Sequence, residues 1–187
     1  MKQYDDVPLP GLDIEVEPRP ARSSPTRAYS STLSPTQAAI ARFWSRVVQS
    51  PDCWIWTGAI SGSVSDGDGY GRITWRRDGV SRTMSAHRFA LLLAYGDSTA
   101  NVVAEHRCNE PLCVRVDPEH VISSTQSANL LYAVSLGRAG AHRAPTGGRT
   151  RVERSLAVRA ALADGWDPIA YAQAAGETRP RDSGRLF

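Results

Sequence analysis

The chemistry in this chain is concentrated between residues 105 and 129. Glu105-His106-Arg107-Cys108-Asn109-Glu110-Pro111-Leu112-Cys113 is followed by His120 and then Asn129. Two thiols, two imidazoles, carboxylates and an amide therefore fall within a short stretch. Cys108, Cys113 and His120 have the types and spacing of soft and borderline metal ligands, while His106, Glu105 and Asn129 remain with the chemistry of a hydrolytic site.

Four residues separate Cys108 from Cys113, and Pro111 between them favours a tight turn that brings both sulfurs to one point. His120 lies just beyond. A tetrahedral structural zinc site needs four sulfur or nitrogen ligands, and this segment supplies three. Cys53, the one remaining cysteine, is the natural fourth, with His87 and His142 as lesser alternatives. A closed Cys3His site would tie the Trp-rich segment after Cys53 to the Cys loop. Structural zinc contributes roughly 10–16 kcal/mol of apparent folding free energy in small finger peptides, enough for a loop-rich core to depend on it.

A second ligand only two residues before Cys108 would strain the same tetrahedron, so His106 takes a different role. It ends an apolar strand, Val102-Val103-Ala104. A neutral imidazole there could deprotonate a water, because its ordinary pKa lies near neutrality. The Asn129 amide oxygen and the Glu105 carboxylate are hard ligands suited to Mg2+, and one Mg2+ on a phosphate would stabilise the developing charge and the leaving oxygen.

At 187 residues the chain has room for one compact domain plus tails. Its net charge of +3 is mildly basic, compatible with a polyanionic partner but not sufficient to identify one. The basic residues are almost all arginine, Lys2 being the only lysine. Arginine suits phosphates and base edges through its forked geometry; a GC-rich coding sequence would give the same bias. Three cysteines, an odd number, do not suit a secreted disulfide scaffold. The polar, Pro-rich start and the lack of any apolar run of membrane-spanning length predict a soluble, intracellular (cytoplasmic) protein without membrane contact, where thiols stay reduced and free to bind metal.

The elements that must position these groups are readable from pattern. Residues 1–33 are predicted to be a disordered tail. A helix is expected to start at Ser34-Pro35-Thr36 and run through Gln37 to Val48, capped by Ser34 with Pro35 in its first turn and with Ile40, Phe43, Trp44 and Val47 on one face. Cys53–Thr57 reads as a strand and 58–69 as a loop, whose Asp66-Gly67-Asp68-Gly69 is a turn rather than a calcium loop. Tyr70–Trp75 and Val80–Met84 form a hairpin joined across Arg77-Asp78-Gly79. Ser85–Tyr95 is a helix stopped by Gly96, and Val102–His106 a short strand. Ser123 or Ser124 should cap a helix carrying Gln126, Asn129, Leu130 and Val134. Residues 136–151 read as a linker, 152–162 as a helix, and 167–174 as another short helix before a frayed tail.

These pieces occur in the order seen in a known family. Cys53-Trp-Ile-Trp-Thr-Gly, Gly69-Tyr-Gly-Arg72, Ala86-His-Arg88, the 105–113 run, Asp117-Pro-Glu-His-Val121 and Thr125-Gln-Ser-Ala-Asn129 together resemble the ββα-metal nucleases. In particular, they resemble the HNH and His-Cys box endonucleases of phages and mobile elements. The resemblance covers about residues 50–135. It implies that His106 is the general base that activates water and that Asn129 is a Mg2+ ligand. Glu105 stands where many members carry an aspartate ligand. The resemblance also implies that Cys53, Cys108, Cys113 and His120 hold zinc, and that His87 and Arg88 pack behind or beside the site. Arg72 or Arg82 would contact the scissile phosphate.

The fold expected is α+β: a small ββα-metal core with an antiparallel hairpin, a structural zinc site and helical extensions. It divides into a tail (1–33), a nuclease-like domain (34–135), a linker (136–151) and a basic helical extension (152–187). Arg72, Arg76, Arg77 and Arg82 on the hairpin are candidate DNA contacts, since a two-stranded ribbon fits the major groove. Arg138, Arg143, Arg149, Arg151, Arg154 and Arg159 could add phosphate contacts. The function implied is a Mg2+-dependent DNA endonuclease, the alternative a zinc-stabilised DNA-binding module without hydrolysis. A homodimer or partners in a phage or mobile-element assembly are compatible with either.

Overall fold

Aromatic residues spaced along the first half of the chain converge on one core, and the strands form around it. The computed structural model describes residues 34–63, 68–96, 102–136 and 149–176. The tail at 1–33, Asp66-Gly67, most of the linker with Arg138, His142 and Arg143, and the segment beyond 176 lie outside the described residues.

Helix α1 spans Gln37–Trp44 and is capped by Thr36, whose hydroxyl accepts the Ala39 N–H at 3.2 Å. Both the cap and the end differ from expectation. Two hydroxyl residues flank Pro35, and it is Thr36 that takes the cap. The helix stops before Val47 because the β-branched pair Val47-Val48 is claimed by strand β1 (Val47–Gln49), which pairs antiparallel with β2 (Trp54–Trp56). Phe43 from α1 is fully buried, stacked on Trp56 at 5.3 Å and against Phe89 at 5.0 Å. Trp44, expected on the same face, is 40% exposed.

The hairpin β3 (Arg72–Arg77) and β4 (Val80–Ser85) closes through Asp78 (φ 52°) and Gly79 (φ 74°), the left-handed pair that a two-residue primed turn requires. Ile73 and Trp75 face the core; Arg72, Thr74 and Arg76 face solvent. Helix α2 (Ala86–Tyr95) follows at once and buries His87, Phe89, Ala90, Leu91 and Leu92. Then β5 (Val103–His106) and β6 (Val121–Ser124) form a third antiparallel pair, and α3 (Gln126–Ser135) leaves β6 from a Thr125 cap. Strand β6 has no clear period in the sequence, and Ser123 and Ser124 do not cap α3 because they are paired with Ala104 and Val103 in the ladder.

Helix α4 (Arg151–Ala161) begins with a capping box between Thr150 and Glu153, and α5 (Pro168–Ala175) with an Asp167 cap. Val158, Leu162, Ala174 and Ala175 join the same buried cluster as Phe43, Ile55, Phe89 and Cys113. The C-terminal helices thus pack on the core. The architecture is mixed α+β with three small antiparallel pairs. Among the described residues no helix is long and apolar enough to cross a membrane.

Candidate metal centre and adjoining cleft

Two backbone pairings assemble the candidate metal ligands. Residues 112–114 run antiparallel beside β2: the Trp56 N–H donates to the Leu112 carbonyl, and the Val114 N–H to the Trp54 carbonyl, both at 2.8 Å. That lays Cys113 against the strand just beyond Cys53. The β5–β6 register pairs His106 with Val121, so the residues beyond, Cys108 on one arm and His120 on the other, meet at one end of the hairpin; the Arg107 N–H donates to the His120 carbonyl at 2.7 Å. Between Cys108 and Cys113 the chain reverses through Asn109 (φ 65°) and a turn closed by the Cys113 N–H on the Glu110 carbonyl, with Pro111 second in that turn.

The four ligand atoms of Cys53, Cys108, Cys113 and His120 lie within 4.8 Å of one another. His120 Nδ1 is 3.5 Å from the Cys53 sulfur and 3.7 Å from that of Cys113. Cys53, Cys113 and His120 are buried and Cys108 is half-buried. This is a potential metal site, and its three sulfurs and one nitrogen are compatible with structural zinc. The thiols are mutually perturbed. Hydrogen bonding from Cys113 and Cys53 lowers the pKa of Cys108 strongly, while bonding to Cys108 and burial raise those of Cys53 and Cys113.

Beside this cluster lies an open cleft of about 480 Å3. His106 and Asn129 both line it, from β5 and from α3. Asn129, Tyr132 and Ala133 form the cleft-facing side of α3 at helical spacing, and Tyr132 is anchored by its hydroxyl on the Arg107 carbonyl at 3.0 Å. The opposite side of α3 carries Leu130, Leu131 and Val134, the most exposed of them 70% accessible, and α3 buries no residue fully.

His106 is held on three sides. Its Nε2 lies 3.0 Å from the Cys113 carbonyl. A carbonyl only accepts, so Nε2 carries the proton and the lone pair of the neutral ring sits on Nδ1. Tyr70 stacks parallel to the ring at 5.7 Å, and His87 meets it at 4.4 Å. Burial lowers the His106 pKa below its ordinary value, against the raising influence of Cys108 and of the Cys113 carbonyl. His87 is lowered further, by burial first and then by the His106 and Arg88 charges. Both rings are therefore neutral at pH 7.

The other expected site residues are placed differently. Alternation along β5 turns Glu105 away from the cleft face to a position only 1% exposed. Arg107 Nε lies 2.8 Å from Glu105 Oε1, but not aligned as a hydrogen bond, and among the described residues neither carboxylate oxygen has a directed partner. The carboxylate on the cleft wall is instead Asp68, whose Oδ1 accepts the Tyr70 N–H at 3.0 Å and the Ser61 hydroxyl. Arg72 is exposed on β3, paired with Ser85 across the ladder, and does not line the cleft. The four hairpin arginines do not share a face. Arg72 and Arg76 point to solvent, whereas Arg82 sits opposite buried Trp75, and Arg77 bonds the Ser34 carbonyl at 2.7 Å beside Asp78.

Two placements carry no sequence signal: the partners that Glu110 binds, and the entry into the cleft of Arg151, expected only as one of several C-terminal phosphate contacts. Glu110, 3% exposed, accepts the Leu112 N–H, both terminal nitrogens of Arg154 (3.2 and 2.8 Å) and the Tyr171 hydroxyl (2.7 Å). Burial alone would lower the Arg154 pKa, but the Glu110 charge outweighs it and raises it; Tyr171 is raised by burial and by the same carboxylate. This network fastens α4 and α5 to the Cys loop. Arg151, the first residue of α4, then reaches the cleft and lies over Tyr70 at 5.4 Å. No protein-family model matches the chain, and neither a curated protein nor a solved structure matches it.

Proposed function

We propose that the protein is a metal-dependent endonuclease that hydrolyses DNA phosphodiester bonds, built on a ββα-metal core formed by β5, β6 and α3 with a structural zinc at the Cys3His cluster. The observation that carries this reading is that His106 and Asn129, on different elements, line one cleft directly beside the four clustered ligands. It is joined by the resemblance of the 105–129 segment to the HNH and His-Cys box nucleases of phages and mobile elements.

The chain's own groups fit the chemistry. With Nε2–H donated to the Cys113 carbonyl, His106 Nδ1 is free to take a proton from water, and its lowered pKa keeps that lone pair available at neutral pH. Tyr70 and His87 fix the ring's tilt. Mg2+ ordinarily takes one or two protein oxygens and completes its shell with water and substrate phosphate. The Asn129 amide and the Asp68 carboxylate on the cleft wall are oxygen donors of that kind. Bound there, the ion would supply charge stabilisation on the phosphate and the leaving oxygen. Glu105, turned inward, is not placed to share in this. That absence favours the second reading, a zinc-stabilised DNA-binding module without hydrolysis.

A supercoiled-plasmid nicking assay with and without Mg2+ separates the two. Mg2+-dependent nicking is expected in the parent. His106→Ala should lower it by about 10²–10⁴-fold, the range of a lost general base, with zinc content unchanged. Nicking by His106→Ala equal to the parent would remove the base assignment. A parent that binds DNA and carries zinc but never nicks would establish the second reading.

A further inference from the structure

We propose that Arg151, presented by the C-terminal helix pair, is the cleft's phosphate-binding cation. This rests on the nucleic-acid reading above, and it assigns to α4 a role that the resemblance gives to Arg72 or Arg82.

The arginine is built into place. Arg154, one turn along α4, is held bidentately by Glu110, and Arg149 donates to the Ala174 carbonyl at 3.2 Å, so both neighbours are committed to structure. Arg151 is not. Its one hydrogen bond among the described residues is a long one, 3.4 Å, to the Asp68 carbonyl, and no described carboxylate lies within 4.0 Å of its guanidinium. It lines the cleft together with His106 and Asn129. Gly69 enforces the approach: at φ 71°, a Cβ there would stand 2.9 Å from the Arg151 backbone and Cγ. The close packing of Gly69 on the start of α4 thus sets Arg151 against Tyr70, the ring that stacks on His106. A half-buried guanidinium on an aromatic ring, facing an open cleft, suits a phosphate of a nucleic-acid backbone, which its planar fork can engage with two N–H donors.

The test uses the full zinc-loaded chain with Arg151→Gln and Arg151→Lys. First, affinity for a duplex oligonucleotide is measured against NaCl concentration without added Mg2+. For Arg151→Gln the slope of log K against log salt should fall by about 0.9, one phosphate contact, while Arg151→Lys keeps the parent slope. Plasmid nicking should fall roughly 10–100-fold in Arg151→Gln and be partly restored by millimolar guanidinium, a readout that a packing role would not move. Melting temperature and zinc content should match the parent. An unchanged slope and unchanged nicking in Arg151→Gln would overturn the proposal, as would losses shared equally by Arg151→Lys. A changed slope in a protein that never nicks would support Arg151 as the phosphate contact and refute only the nuclease reading.

Discussion

Glu110 makes the sharpest test of how the molecule holds together. Replacing it with glutamine keeps the shape and removes the charge. Three partners lose an anionic acceptor at once: the Leu112 N–H in the Cys loop, the Arg154 guanidinium in α4 and the Tyr171 hydroxyl in α5. Arg154 is left as a mostly buried cation, its side chain only 16% exposed. Removing one partner of a buried pair costs about 3–5 kcal/mol. The Tyr171 bond to a charged acceptor alone would be worth ~1.5–3 kcal/mol, but the three bonds share one carboxylate and do not add. We therefore expect a total of about 3–5 kcal/mol, against a native stability on the order of 5–15 kcal/mol. For a domain of this size that corresponds to roughly 10–20 °C in Tm. Thermal unfolding of zinc-loaded parent and Glu110→Gln, followed by circular dichroism, measures it. Arg154→Met in the Glu110→Gln background should cost much less than the sum of the two single changes, because the charge it removes is already stranded. A loss below about 1 kcal/mol, the scale of an exposed ion pair, would refute the argument that this network binds α4 and α5 to the Cys loop.

Two further predictions concern the metal centre and pH. Cys113→Ser should leave zinc content well below one per chain and lower Tm by more than 10 °C, since structural zinc carries roughly 10–16 kcal/mol of apparent folding free energy in small fingers; parent-like zinc and Tm would sink the structural-metal reading. Acid stability should depend on His87, which faces Tyr70, His106, Arg88 and Ser85. Its folded pKa is lowered, so the unfolded chain takes up the proton first as pH falls through about 6.5; this stability is present above that pH and is lost below it. Tm should therefore drop between pH 7.5 and 5.5, and drop less in His87→Gln. Identical pH dependence in the two proteins would exclude His87 as a source.

Local chemistry was legible in the sequence wherever the signal was itself local. The Asp78-Gly79 turn, the α2 stop at Gly96, and the Cys–Pro–Cys loop each follow from backbone preferences of a few adjacent residues. The four residues of the potential metal site were legible too, because thiols and imidazoles are scarce and the cluster takes all three cysteines. What the sequence could not fix was which side of an element each residue would face and what would lie across from it. Glu105 and His106 are neighbours with equal claim to a hydrolytic site, and the β5–β6 pleat sends one into the interior and the other to the cleft. Val47-Val48 continue a helical pattern, and only the partner strand β2 turns them into β1. Arg151 and Glu110 stand far from the residues they serve, Tyr70 and Tyr171, and no spacing rule links positions separated by that much chain. Residue type and short-range spacing determined which chemistry was present; long-range packing of α4 and α5 on the Cys loop decided which groups share the cleft, because side-chain direction and non-local pairing are set by what else must be buried.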